Sequence, residues 1–196
     1  MVVGLPFKSD DMDESIIKKA VQIKLLVTDV DGVLTDNGVY YSPDGELMKK
    51  FSIRDGMGVE RLRNLCGIET GFITGEKSPS VIQRAQKLGI KEVNVYIKDK
   101  AKCMLEIMQR NNLQPNEIAY IGDDVNDLDA MKMAGLSACP QDAMDQVKNM
   151  VDYTCENKGG QGAFRELAEF LISSRLEHRE SSQTDDLVNT FKFLTP

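Results

Sequence analysis

Apolar residues recur along this chain with two periods that take turns. Around residues 11–21, Ile16, Ile17, Ala20 and Val21 return at helical spacing, and Lys18 and Lys19 suit the negative end of a helix. Residues 23–28 are instead a near-continuous aliphatic run, the pattern of a strand buried on both faces. The alternation then repeats. Helices are predicted from Gly58, with Val59, Leu62, Leu65 and Cys66 inward and Gly67 as cap, then over 78–88 to Gly89. Further helices are predicted over 100–111 through Met104, Leu105, Ile107 and Met108, over 125–134 to Gly135, near 143–149 and over 163–174. Strands are predicted at 69–73, near 92–96, at 118–121 and 136–138, and near 152–154. Two short extended runs, 39–42 and 46–52, flank the turn residues Pro43-Asp44-Gly45 and predict a hairpin.

This order predicts an α/β fold: a parallel sheet with helices on both faces and a β-hairpin after the first strand. A length of 196 residues suits a single domain, placed at residues 1–175. Residues 176–196 form a polar, weakly patterned tail, expected to be flexible or to dock on a partner subunit.

Charge narrows the partners. The formal net charge of −7 argues against a nucleic-acid surface. No apolar run approaches the ~20 residues of a membrane span. The first residues carry no basic segment leading into an apolar one, so a cytoplasmic protein is expected. Cys66, Cys103, Cys139 and Cys155 are scattered without a Cys-x-x-Cys pair and are read as reduced, half-buried thiols. The single histidine, His178, lies near the tail, so proton and charge work in the main fold falls to carboxylates, lysines or a metal.

The chemistry gathers at strand ends. The first strand runs into Asp29-Val30-Asp31-Gly32, the 69–73 strand into Thr74-Gly75, and the 118–121 strand into Gly122-Asp123-Asp124. Ligands of open parallel sheets bind at the carboxyl ends of the strands, so these segments are expected to converge. Two acidic pairs meeting there need a counter-ion. Magnesium fits, because it accepts a few carboxylates and several waters. With magnesium, phosphoryl transfer follows: one carboxylate attacks phosphorus, and another protonates the leaving oxygen and then activates water. Thr74 can donate to a phosphoryl oxygen. Lys100 opens a helix, a poor place for a cation unless it serves an anion.

These motifs, in this order, resemble those of the haloacid dehalogenase superfamily of phosphohydrolases over roughly residues 23–171. The resemblance implies a Rossmann-like sheet, Asp29 as nucleophile, Asp31 as general acid/base that also lends its backbone to the metal site, Thr74 and Lys100 as catalytic partners, and a magnesium site of Asp29, Asp31 and Asp123. It implies Asp124 and Asp127 as supporting carboxylates. The gaps between motifs leave no room for the inserted cap domain that most members carry. The capless form, with Gly159-Gly160-Gln161-Gly162-Ala163-Phe164-Arg165-Glu166, looks like the 3-deoxy-octulosonate 8-phosphate phosphatases and their relatives acting on nine-carbon keto-sugar acids. It implies a homotetramer in which the hairpin builds the assembly and residues 159–166 lie near a neighbour's pocket.

The implied substrate set is Arg54, Asp55, Gly56, Gly75, Glu76, Arg84 and Lys87. Glu76 follows Thr-Gly where octulosonate enzymes typically carry arginine, and Glu60 also stands where they tend to have arginine. With Lys87, these favour a nonulosonate 9-phosphate of the sialic acid type over octulosonate 8-phosphate. Arg54 and Arg84 are left to bind the sugar carboxylate or phosphate. Two other classes compete. One is a non-catalytic assembly module of the kind fused to a sialate cytidylyltransferase, but such modules have lost acidic motif residues that this chain keeps. The other is a receiver-type signalling domain, whose acidic pair and phospho-acceptor fit the Asp-x-Asp-Gly spacing poorly.

Overall fold

The computed structural model describes the backbone of residues 13–192 and the side chains of residues 13–180. The start of the first predicted helix, the segment read for a signal peptide and the end of the tail lie outside these residues. Elements follow in the order α1 (Glu14–Ala20), β1 (Leu25–Thr28), β2 (Val39–Ser42), β3 (Gly45–Lys49), α2 (Ile53–Arg61), β4 (Glu69–Ile73), α3 (Pro79–Leu88) and β5 (Glu92–Asn94). Then come α4 (Lys100–Asn111), β6 (Ile118–Ile121), α5 (Leu128–Met131), β7 (Leu136–Cys139), α6 (Asp145–Lys148), β8 (Tyr153–Thr154) and α7 (Ala163–Lys192). The main sheet has the order β5-β4-β1-β6-β7-β8, and every pairing in it is parallel. The antiparallel hairpin β2–β3 forms its own two-stranded sheet.

Strand alternation feeds two cores. Leu26, Ala119 and Ile121 face one, packed against α1, α2, α3 and α7 through residues such as Leu62, Val81 and Phe164. Leu25, Val27, Ile118 and Tyr120 face the other, with Met104, Ile107, Met131 and Val147 from α4, α5 and α6. The central strands β1 and β6 are buried along their whole length, which is why they read as continuous apolar runs. The α/β expectation holds, including the hairpin after the first strand.

Several boundaries differ for identifiable reasons. Helix α2 begins at Ile53 rather than Gly58, because the Ser52 side chain caps it by accepting from Asp55 N–H. Its internal glycines hid this start. They are close-packing sites: a Cβ on Gly58 would stand 3.2 Å from Arg165 Cα of α7. The second hairpin strand ends at Lys49, opposite Val39 where its partner strand begins. The chain continues from α2 through a π-turn, Leu62–Cys66, to Gly67 at φ +66°. Leu65 and Leu105 are exposed rather than inward, while all four cysteines are free and fully rather than half buried. Residues 125–127 form a 3-10 turn before α5, since Asp124 and Asp127 make a reciprocal capping box there. Helix α7 runs past the predicted end at 174 to Lys192, so the expected tail boundary falls inside it; residues 163–192 contain neither glycine nor proline to stop it.

Candidate active site

Main-chain bonds extend the sheet one step past its strands and hold the chemical residues in register. Asp29 N–H donates to Ile121 O at 2.9 Å, Thr74 N–H to Asn94 O at 2.9 Å and Gly122 N–H to Ala138 O at 3.2 Å. Asp29, Thr74 and Asp123 are thereby presented from β1, β4 and β6, adjacent strands at the sheet centre. They line one cavity of about 140 Å³ with Asp31, Asn37, Gly75, Glu76, Asp124 and Asn126. The Thr74 hydroxyl accepts from Glu76 N–H at 3.1 Å, which leaves its proton to donate.

Lys100, at the first turn of α4, is buried with its Nζ 2.6 Å from Asp127 Oδ1 and 3.0 Å from Asp29 Oδ2. These carboxylates are the anions that justify a cation at a helix N-terminus. Asp127 is saturated. One oxygen accepts from Lys100 and from Tyr120 Oη (2.7 Å), and the other from Asp123 N–H (3.2 Å) and Asp124 N–H (3.3 Å). It therefore anchors both the lysine and the Gly122-Asp123-Asp124 loop.

Oxygens of Asp29, Asp123 and Asp127 lie within 4.8 Å of one another, a spacing that could hold a metal ion. Since Asp127 is already engaged, Asp29 and Asp123 are the carboxylates with capacity to spare. The Asp31 carboxylate lies outside this group: both its oxygens accept from Lys49 Nζ, at 2.5 and 2.6 Å. Asp31 can thus serve a cation through its backbone carbonyl only.

The electrostatics fit a cation. Burial above all, then the Asp127 carboxylate, push Asp29 up to about 8 against the pull of Lys100. Burial, with Asp127 and Asp124 nearby, pushes Asp123 up to about 6 although Asn37 donates to it. Burial works against the charge of Lys100, but Asp29 and Asp127 hold its ammonium above the usual lysine value. Several carboxylates against one lysine is a site short of positive charge.

Glycines permit this crowding. At Gly32, φ +84°, a Cβ would stand 2.0 Å from Asp123 Oδ2. At Gly159 it would stand 1.8 Å from the Gly32 carbonyl, and Gly160 N–H donates to Val33 O at 2.8 Å. The Gly-Gly-Gln-Gly segment thus packs on this chain's own Asp-x-Asp-Gly loop and supports it.

Of the expected substrate residues, Gly75 and Glu76 reach the cavity. Arg54 lines a separate groove with Gln161 and Arg165. Asp55 is buried and accepts from Arg165 N–H at 2.9 Å, tying α2 to α7. Gly56 makes room for Arg84, since a Cβ there would meet Arg84 Nη2 at 2.4 Å. Arg84 donates to Ser52 O at 2.7 Å and lies over the Phe51 ring. Lys87 and Glu60 are exposed on their helices. Sequence reasoning missed Lys49, Tyr120 and Asn37. Tyr120 had a readable signal, a tyrosine inside a buried strand whose hydroxyl needs a partner. Asn37 adopts φ +60° and donates to Asp123 Oδ2 at 3.1 Å, which no local pattern announces. Lys49 is the one buried residue of β3, the reverse of ordinary strand patterning.

This fold and this set of groups define a phosphoric monoester hydrolase. Residues 44–135 match the haloacid dehalogenase-like hydrolase model. The 3-deoxy-D-manno-octulosonate 8-phosphate phosphatase KdsC of Haemophilus influenzae is 37% identical over 158 residues, 81% of this chain and 87% of that protein. The cobalt-bound structure of the deoxy-D-mannose-octulosonate 8-phosphate phosphatase from Haemophilus influenzae matches with a TM-score of 0.78 at 37% identity, covering 80% of this chain and 91% of that one. The Moraxella catarrhalis 3-deoxy-D-manno-octulosonate 8-phosphate phosphatase, solved with magnesium, phosphate and KDO, matches with a TM-score of 0.80 at 32% identity, covering 92% and 99%. The chain belongs to the haloacid dehalogenase-like hydrolases, in the capless family of the 3-deoxy-D-manno-octulosonate 8-phosphate phosphatases. Among the described residues, no helix is long and apolar enough to cross a membrane.

Proposed function

We propose that this chain is a magnesium-dependent phosphatase of a 2-keto-3-deoxy sugar acid phosphate, with 3-deoxy-D-manno-octulosonate 8-phosphate as substrate. The observation that carries this is the meeting of Asp29, Asp31, Thr74, Lys100 and Asp123 at one end of the sheet. The relatives' names support the eight-carbon substrate, whereas the nine-carbon preference suggested by the sequence finds no support among them. Glu76 in the cavity wall keeps the nonulosonate 9-phosphate as the second reading.

In the first step, an Asp29 oxygen bonds to phosphorus as the substrate O–P bond breaks, and the leaving oxygen takes a proton from Asp31. In the second, water gives a proton to Asp31 as its oxygen bonds to phosphorus and the acyl phosphate breaks, releasing inorganic phosphate. Thr74 and Lys100 donate to the phosphoryl oxygens and neutralise their charge. Asp29, Asp123 and the Asp31 carbonyl would hold magnesium, which supplies Lewis-acid stabilisation of the phosphoryl group. The test compares both substrates with magnesium. A kcat/KM at least about tenfold higher for the octulosonate ester is expected, the scale of a small change in substrate contacts. The reverse order would assign the nonulosonate, and activity on neither would favour a non-catalytic module.

The cavity is open to solvent, so a sugar acid whose phosphate sits among Asp29, Thr74 and Asp123 extends out beyond its walls. The hairpin exposes Tyr40, Tyr41, Leu47 and Met48. Together these support a homotetramer in which neighbours complete the substrate pocket; elution as a monomer in light scattering would overturn that assembly.

Metal dependence carries a pH signature. Asp29 and Asp123 lie above their ordinary 3.8 in the folded metal-free protein. The folded state then binds more protons than the unfolded one, so their contribution is full below about pH 4 and is lost as pH rises through about 6 and about 8. Metal-free protein should therefore melt lower at pH 8.5 than at pH 6. Magnesium, which needs the ionised carboxylates, should raise the melting temperature more at pH 8.5. Differential scanning calorimetry with and without chelator measures both, and a metal-induced rise that shrinks with pH would contradict the assignment.

A further inference from the structure

Lys49 is a deeply buried charge that the chemistry above leaves unused, with a side chain that is 0% exposed. Its ammonium contacts both Asp31 oxygens, at 2.5 and 2.6 Å, and lies 3.8 Å from Glu46 Oε2. Burying a lysine is costly, and a buried ion pair is seldom more stable than apolar residues of the same size. Stability alone therefore gives no reason for a lysine here. The pair is also asymmetric. Asp31 lines the cavity and Lys49 does not, so the ammonium holds the carboxylate from outside the reacting space. Lys49 stands on β3, in a hairpin that shares no strand pairing with the main sheet. That hairpin is fastened beside the site a second time, where Ser78 Oγ, the cap of α3, donates to Glu46 Oε1 at 2.6 Å.

We propose that Lys49 is a positioning residue: it holds the Asp31 carboxyl group in the place from which its acid form protonates the leaving oxygen and its carboxylate form then receives a proton from water. The inference rests on the phosphatase function proposed above. A carboxylate gripped at both oxygens has one orientation, while a free aspartate side chain samples several, and proton transfer demands hydrogen-bond reach at a fixed angle. A cap domain is absent, so the hairpin is the element that supplies this restraint.

The test uses the full chain with magnesium and two kinds of substrate. Lys49→Met should lower kcat for sugar phosphates by about 10², the scale of one general acid/base contribution, with little change in KM. With p-nitrophenyl phosphate, whose leaving group needs no proton, the first step survives and the second is slowed. A rapid burst of nitrophenolate approaching one per active site, and a trapped phosphoenzyme, are expected. Lys49→Gln, which can still donate to one Asp31 oxygen, should fall between, and provides the measurement if the methionine variant does not fold. Lys50→Met, which removes an exposed partner of Asp36, should change neither kcat nor the burst. The deciding experiment is a double-mutant cycle: in an Asp31→Asn background, Lys49→Met should cost almost nothing further. If its cost is the same in both backgrounds, or if no burst appears, Lys49 is structural and the inference fails while the phosphatase function stands. If the unmodified chain hydrolyses no phosphate monoester, the function itself fails, whatever Lys49 does.

Discussion

Asp29→Asn yields a folded protein without turnover. The substitution keeps size and shape, and the backbone bond from residue 29 to Ile121 O remains. The amide cannot form the acyl phosphate, so the loss in kcat is expected to be about 10⁴-fold or more, the range seen when a covalent nucleophile is removed. Stability should move the other way. Asp29 is a buried carboxylate beside Asp127, held up at about 8 by burial and repulsion. Removing its charge relieves both, so metal-free Asp29→Asn should melt no lower than the unmodified chain at pH 8.5. Inactivation by unfolding would instead lower both activity and melting temperature. Retention of full activity in the purified variant would end the assignment of Asp29 as nucleophile.

Lys100→Met should damage both activity and folding. The lysine offsets Asp29 and Asp127 at 3.0 and 2.6 Å inside the protein. Removing one member of a buried ion cluster leaves uncompensated charge and costs about 3–5 kcal/mol. That cost should be largest at pH 8.5 and smaller in mild acid, where Asp29 takes up a proton. It should also shrink in an Asp29→Asn background, since one of the two stranded carboxylates is gone. Urea unfolding across pH measures this, and equal costs at pH 6 and pH 8.5 would show that Lys100 is not the counter-charge. Activity should fall by about 10²–10³, the loss typical of one preorganised electrostatic donor.

The cases of Arg54, Arg84 and Lys87 show where sequence reasoning stopped. Lys87 was assigned to the substrate by resemblance and the two arginines by their charge; within the single chain Arg54 lines a separate groove, Arg84 is turned onto Ser52 and Phe51, and Lys87 is exposed on α3, so their contacts to substrate stay a proposal. A cationic side chain reaches several directions from one backbone position, and its partner is set by packing. The Gly-Gly-Gln-Gly segment makes the same point. The resemblance placed it near a neighbour's pocket, and within its own chain Gly159 and Gly160 abut the loop that carries Asp31 and Gly32.

The sequence alone determined the layers, the parallel sheet, the hairpin and the convergence of three acidic or hydroxyl strand ends. Those features follow from local periodicity and from strand-end geometry, which a linear pattern records. Tertiary structure alone decided which donors each carboxylate answers to, and so gave a physical reason for the roles that the resemblance implied. Asp127 is spent on Lys100, Tyr120 and two backbone N–H groups, Asp29 and Asp123 keep capacity for a cation, and Asp31 belongs to Lys49. Asp29, Asp31 and Asp123 are aspartates just past strand ends and Asp127 follows in the next turn, and the residue type alone does not tell them apart. What separates them is which donors the fold brings within 3.3 Å. The backbone donors to Asp127 are local, three and four residues away, but Lys100 lies 27 positions from Asp127 and Lys49 lies 18 from Asp31, separations that no local pattern spans.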